Sequence, residues 1–247
     1  MMSSNIEKLK EIIKNAEKIT FFGGAGVSTA SGIPDFRGAG GLYTLESGRS
    51  IRPETILSHG FFYDCPEEFY EYYKSNMLYT DTEPNGAHYA LAGLEKIGKL
   101  SAVITQNIDG LHTAAGSRNV IELHGSVLEN YCVSCGRRHP LSHILSSYPV
   151  PRCESCGGLV RPDVVLYGEP LDVGRFMQAE EEIMTSDVLI VGGTSLTVTP
   201  ASTLVEMFEG EHLVIINRTE TEYDYLAELV IREPIDEVLS EACEDLF

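Results

Sequence analysis

The chain has 247 residues, 43% of them hydrophobic and 22% charged, with a formal net charge of −19. That length and composition suit one large globular α/β unit with an insertion. An acidic balance of this size argues against direct nucleic-acid binding, which needs a basic face, and fits general solubility or a lysine-rich peptide partner. No run approaches the roughly 18 apolar residues of a membrane span, so no membrane partner is expected. The charged stretch MMSSNIEKLKEIIKNAEKI has no signal-peptide core, and a cytoplasmic protein is expected.

In chain order, Ile6, Leu9, Ile12 and Ile13 recur at helical spacing and predict a helix over 5–16, capped by Ser3 or Ser4. A short apolar strand over 19–22 then runs straight into glycines, the order that opens a nucleotide-binding unit. Gly24-Ala25-Gly26 would let backbone approach a phosphate closely, with the amides of a following helix as donors. Thr29 stands where the third glycine of a G-x-G-x-x-G loop is usual, and a tight turn without ligand fits the same residues. Asp35, Phe36 and Arg37 place an acid, an aromatic ring and a guanidinium beside this loop. A surface turn punctuated by Pro34 fits them equally.

Residues 39–84 are rich in Tyr and Phe and predict helices with loops. Near-continuous apolar runs at 102–107, 188–194 and 213–218 read as strands covered on both faces, which implies a parallel sheet between helix layers. Shorter strand candidates lie at 120–124 and 229–233. Helical patterns at 87–98 and 200–210 alternate with the strands, giving a doubly wound, Rossmann-like α/β fold. Ligands of such sheets bind at the carboxyl ends of the strands. Gln106, Asn107 and Asp109 stand at one such end, although Asn107 and Asp109 also suit a helix cap. His124 ends another strand and has the titration range of a general base. Thr194 and Ser195, after Gly193, suit a phosphate or ribose at a third end. Asn217 suits a ribose hydroxyl at a fourth.

Cysteines lie at 65, 132, 135, 153, 156 and 243. Cys132, Cys135, Cys153 and Cys156 form two C-x-x-C pairs separated by 17 residues, a spacing that reads as a metal site in a reducing compartment. Four thiolates fill the tetrahedral shell of zinc and leave no open position, so such a site is structural. The spacing also admits an iron–sulfur cluster. Residues 128–160 are poor in apolar side chains, so the metal is expected to hold them together. Cys65 and Cys243 read as plain thiols.

Taken together, GAGVSTASGIPDFRG, TQNIDGLH, ELHGS, CVSC with CESC, RPDVVLYGE and GTSLTVTPA closely resemble the motifs of the sirtuin family of NAD-dependent protein deacylases, in that family's order. The resemblance spans residues 22 to about 235 and implies deacetylation of acetyl-lysine at the expense of NAD, with one structural zinc ion per chain. It implies NAD contacts at Gly24, Ala25, Gly26, Thr29, Asp35, Phe36, Arg37, Gln106, Ile108, Gly193, Thr194, Ser195, Asn217 and Ile235. It implies a nicotinamide pocket at Asn107 and Asp109, a general base at His124, and a peptide clamp at Val165, Leu166, Tyr167, Gly168 and Glu169. The implied division has an NAD-binding domain at 1–38, 85–127 and 161–247. The small domain would then have a helical part at 39–84 and a zinc-ribbon part at 128–160. Relatives that remove acidic acyl groups carry Tyr-x-x-Arg, whereas this chain has Tyr70-x-x-Tyr73, which implies a neutral acyl group. A hydride-transferring dehydrogenase, a mono-ADP-ribosyltransferase and a zinc module that binds NAD without turnover are the competing readings.

Overall fold

The computed structural model describes residues 2–36, 41 and 51–246. Its main sheet is built from β1 (Ile19–Gly23), β2 (Leu100–Thr105), β3 (Val120–Glu122), β7 (Val188–Gly192), β8 (His212–Ile216) and β9 (Leu229–Ile231). The strands lie in the order β3-β2-β1-β7-β8-β9, and every pairing between them is parallel. The chain steps outward from β1 to β3, then returns to lay β7 against the other side of β1. That reversal creates a crevice between the carboxyl ends of β1 and β7.

Side chains of β1 alternate across the sheet, as strand geometry requires. Ile19 and Phe21 pack with Ile6, Leu9, Leu91, Leu94, Val238 and Leu239, from helices Met2–Asn15, Gly86–Lys96 and Ile235–Cys243. Phe22 packs on the opposite face with Ala179 and Ile183 of helix Val173–Met184 and with Leu204 and Val205. Burying each large side chain contributes about 1.5–3 kcal/mol, so the two layers fix the sheet from both sides. Two local expectations are corrected. The first helix starts at Met2, so Ser3 and Ser4 lie inside it instead of capping it. The helix expected at 200–210 is a 3-10 helix over Ala201–Met207. There the Thr203 hydroxyl donates to the Pro200 carbonyl at 2.7 Å, the kind of side-chain bond that competes with α-helical pairing.

A second, antiparallel sheet has the order β5-β4-β6, from Arg138–Pro140, Gly125–Cys132 and Val160–Val164. It does not rest on a metal alone, contrary to the sequence expectation for residues 128–160. Val127, Cys132, Ile144, Cys153 and Val160 share one buried cluster with Phe62, Phe69, Tyr70 and Tyr73. Those rings come from helices His59–Asp64 and Pro66–Asn76, which follow capping Ser58 and Pro66 at the first helical position. Phe62 meets Phe69 edge-on at 4.9 Å, and Phe69 stacks on Tyr73 at 5.6 Å. The buried Tyr70 hydroxyl donates to the Val160 carbonyl, tying the aromatic helix to β6.

The hydroxyl of Tyr73 is also buried but has no hydrogen-bond partner among the described residues. The two phenols therefore predict opposite outcomes. Tyr70→Phe orphans a buried carbonyl and is expected to lower the unfolding free energy by about 1–3 kcal/mol. Tyr73→Phe removes a group that gains nothing, so its change should stay within about 0.5 kcal/mol or be stabilising. Denaturant titrations of the two variants check the contrast.

Candidate functional site

The loops after β1 and β7 meet in the crevice. The Gly26 amide donates to the Gly193 carbonyl at 2.8 Å, and the Gly24 amide to the Gly192 carbonyl at 3.2 Å. A Cβ on Gly26 would lie 2.8 Å from the Cα and carbonyl oxygen of Gly193, whose own φ is +60°. Only glycine fits at both places. The loop after β2 joins them, because the Thr194 hydroxyl donates to Gln106 Oε1 at 3.1 Å. Gln106 Nε2 is left buried with no partner among the described residues.

These loops floor a cavity of about 1470 Å³. That exceeds the roughly 300–1,000 Å³ of an ordinary small-molecule pocket, so a dinucleotide and part of a second substrate both fit. Its walls hold Ala25, Gly26, Thr29, Asp35, Phe36, Gln106, Asn107, Ile108, Asp109, His124, Gly193, Thr194, Ser195, Asn217 and Ile235. Val165, Leu166, Tyr167, Gly168 and Glu169 line it as well. Gly24 does not line it; it packs behind the wall, against Thr194 and Gln106. Arg37 lies outside the described residues.

Asn107 and Asp109 meet at a residue that the sequence reading overlooked. The fully buried Ser28 hydroxyl donates to Asp109 Oδ2 at 2.7 Å and accepts from Asn107 Nδ2 at 3.0 Å. Asp109 Oδ1 also accepts from the Leu111 amide at 2.9 Å, at the start of the helix Leu111–Ala114, whose N-cap residue is Gly110. Nothing in the sequence distinguishes Ser28 from an ordinary cap of the glycine loop. Asn217 sits after β8, its Nδ2 donating to the Thr219 carbonyl at 2.9 Å.

His124, expected as the last residue of a strand over 120–124, instead occupies the two-residue turn between β3 and β4, two positions beyond the observed end of β3 at Glu122. Gly125 makes that turn possible. Its φ is +78°, and a Cβ there would stand 1.9 Å from the Asp163 carbonyl oxygen. His124 Nδ1 donates to the Gln106 carbonyl at 2.9 Å. The carbonyl cannot donate, so Nδ1 carries the proton and Nε2 keeps the lone pair in the neutral ring. Burial pushes the His124 pKa below 6.5, outweighing the opposing pull of that bond. The imidazole is therefore a neutral base at physiological pH.

The Val165–Glu169 segment is pinned on its outer edge. The Tyr167 amide donates to the Leu57 carbonyl at 3.0 Å, and the His59 amide to the Tyr167 carbonyl at 2.9 Å. Val165 donates to the His124 carbonyl at 2.9 Å. The wall nearby adds Val164, beside the clamp residues, and Leu57, Tyr73 and Met77, which sequence reading left unplaced within the aromatic-rich region 39–84.

The four cysteines of the paired motifs converge elsewhere. Their sulfur atoms all lie within 4.8 Å of one another, with Cys132 and Cys156 at 3.5 Å and Cys135 and Cys153 at 3.7 Å. A zinc–sulfur tetrahedron with bonds of about 2.3 Å has edges of about 3.8 Å, so the cluster fits that ion. None of the four lines the cavity, and His124 is not part of the cluster. Cys65 is half-buried and Cys243 buried, both as free thiols.

With this geometry in place, comparison with known proteins gives a consistent answer. The model of the Sir2 family matches residues 24–200. An NAD-dependent protein deacetylase of Clostridium perfringens (strain 13 / Type A) is 53% identical over 98% of this chain and 100% of the relative. One of Cutibacterium acnes is 53% identical over 95% of this chain and 96% of the relative. A crystal structure of a Sir2 homologue with NAD superposes with a TM-score of 0.87 at 38% identity, covering 96% of this chain and 92% of that one. A Sir2 structure holding a deacetylated p53 peptide and 3′-O-acetyl ADP-ribose has a TM-score of 0.89 at 37% identity, covering 98% of both chains. The chain belongs to the Sir2 family.

The metal site carries its own expectation. Removing zinc with a strong chelator, or replacing Cys132 by Ala, leaves uncompensated thiolates beside a shared aromatic core. Both are expected to lower the melting temperature and to lose the bound zinc together. A Cys132→Ala protein that is metal-free yet melts like wild type would contradict a structural site.

Proposed function

We infer that the chain is an NAD-dependent protein lysine deacetylase acting on acetyl-lysine in proteins or peptides. The observation that carries this is a single cavity bordered by a glycine floor at the β1/β7 crevice, a neutral histidine and an extended segment with unused backbone groups. Among the described residues, no bond engages the Val165 carbonyl or the Gly168 amide and carbonyl. An extended peptide adding along such a segment gains affinity through main-chain bonds and leaves sequence choice loose. A cytosolic setting agrees with free thiols and a thiolate metal site.

NAD, as co-substrate, would supply an activated bond: nicotinamide leaves, the acetyl group passes to ADP-ribose, and one water is consumed in freeing the lysine amine, giving deacetylated lysine and O-acetyl-ADP-ribose. The chain's residues bind and orient. The backbone amides of Ala25, Thr194 and Ser195 would offer donors for the phosphates, while the Gly26 amide, spent on the Gly193 carbonyl, keeps the floor low. Asn217 and Ile235 would hold the adenosine end, with Arg37 and Phe36 near the reacting ribose. Asn107 and Asp109, locked together by Ser28, would read the nicotinamide amide. His124 would take a ribose hydroxyl proton at Nε2, while Gln106 holds the other nitrogen's proton in place.

Leu57, Tyr73, Met77, Ile108, Val164 and Leu166 would surround the acyl-lysine chain. The only Lys or Arg among the described wall residues is Arg218, beside Asn217 after β8. An acyl group ending in a carboxylate would lose its hydration without a partner near this apolar stretch. Acetyl or another neutral acyl group is the preferred substrate. We read 39–84 and 128–160 as a small domain beside a nucleotide domain of 1–38, 85–127 and 161–247, a division supported by the aromatic helices sharing a buried cluster with the antiparallel sheet, separate from the clusters of the parallel sheet.

Two measurements test the assignment. His124→Ala should lower kcat for an acetyl-lysine peptide by about 10²–10⁴-fold, the usual worth of a general base. A loss under about tenfold would refute the role. The pH profile follows from the depressed pKa. A base works neutral, so kcat should rise with pH along a limb centred below 6.5 and be flat above it. A limb centred above that value would contradict the burial argument.

A further inference from the structure

The carboxylate of Glu169 is tied at four points. Oε1 accepts from Arg161 Nη1 at 2.7 Å and from His59 Nδ1 at 2.7 Å. Oε2 accepts from Arg161 Nη2 at 2.9 Å and from the Leu166 amide at 2.9 Å. Burial alone would raise this carboxyl's pKa, but those donors outweigh it and hold it at about 2. Arg161 in turn donates to the Val164 carbonyl at 2.9 Å and the Pro162 carbonyl at 3.2 Å. Its guanidinium lies over the rings of Phe62 and Tyr131 at 5.6 and 5.7 Å. The side chains of Arg161 and Glu169 are 8% and 16% exposed.

A buried ion pair of this kind adds little stability over apolar residues of equal volume, because desolvation offsets the attraction. What it adds is geometry: a planar fork matched to a carboxylate permits one arrangement. Here that arrangement closes the Val165–Glu169 segment on itself. The Leu166 amide goes to the Glu169 side chain, and the Glu169 amide goes to the Leu166 carbonyl at 2.9 Å. The turn forces Gly168 to φ +89° and leaves its amide and carbonyl unused by described residues. Tyr167, before Gly168, is held by Leu57 and His59 on the outer edge, and the fork ties Glu169, after Gly168, back to β6.

We propose that Arg161 and Glu169 are positioning residues for the substrate: their ion pair holds Val165 and Gly168 in the register that an extended acyl-lysine peptide pairs with. The inference rests on reading Val165–Glu169 as the peptide clamp. It assigns neither residue a contact with NAD or with the reacting atoms. Arg161 touches no substrate and acts through Glu169 and the turn.

The test uses full-length enzyme at saturating NAD and two acetyl-lysine peptides. One is unmodified; the other is N-methylated at the peptide bonds flanking the acetyl-lysine. The variants are Glu169→Gln, Arg161→Lys and the pair Arg161→Met with Glu169→Gln. The pair avoids stranding a buried charge and so keeps a folded protein to measure, as thermal melts verify. Peptide KM is expected to rise about tenfold or more while kcat changes less than about threefold and the KM for NAD stays put. The penalty for N-methylation, large in wild type, should shrink in every variant because the partner edge is out of register. A folded variant with wild-type peptide KM, or with an undiminished methylation penalty, overturns the proposal. A loss of kcat at unchanged peptide KM does the same, since it marks a merely structural role. Wild-type enzyme indifferent to N-methylation instead overturns the clamp reading itself, which separates the two failures.

Discussion

The close contact of two glycine loops is the constraint on which the rest of the site depends. Gly26 and Gly193 touch backbone to backbone at 2.8 Å, at the one place where the strand order of the main sheet reverses. A side chain at either position would push the carboxyl ends of β1 and β7 apart. With the loops together, the floor of the cavity is main chain, and main-chain amides can approach an anion where side chains would block it. Thr194 reaching Gln106 extends the floor to β2, and the Gln106 carbonyl then fixes the ring of His124. One steric permission thus propagates through three strand ends to the basic nitrogen.

The sheet was legible because its strands are buried on both faces, and such strands show as unbroken apolar runs. The carboxyl ends were legible for the same reason: where the run stops, polar residues begin, and those residues line the cavity. Most strand ends were read two residues long, as at 188–194 against Val188–Gly192, because the residues that close each run were counted with it: Gly193 and Thr194 there, Gln106 and Asn107 after β2. Ser28 was not legible. A serine in a glycine turn carries no mark of bonding two residues near position 108, which are distant in sequence and close only once β1 and β2 pair.

The cysteine region shows a different limit. Composition alone said that residues 128–160 lack a core, and within that window the statement is fair. The missing apolar surface comes from Phe62, Phe69, Tyr70 and Tyr73. Tyr70 bonds Val160 across 90 residues of sequence. Local periodicity reports only which face of a helix is apolar, never what covers it. The metal and the aromatic cluster therefore share the task of holding this sheet. Cys132 and Cys153 belong to both, because each is a cluster ligand and a buried member of the aromatic core.

His124 stands where the two sheets join. β3 ends at Glu122 in the parallel sheet and β4 begins at Gly125 in the antiparallel one, so the chain changes sheets within the turn that carries the histidine. Its ring is held from the parallel side by the Gln106 carbonyl, and its own carbonyl is held from the other side by Val165. The two sheets thus fix the same residue through opposite ends. The eight residues from Gly125 to Cys132 are β4, which carries the chain from the cavity to the cysteine cluster. At about 3.4 Å per residue that strand separates the two by more than 20 Å of chain. His124 is not part of the cysteine cluster and none of the four cysteines lines the cavity; burial leaves the His124 imidazole neutral at physiological pH.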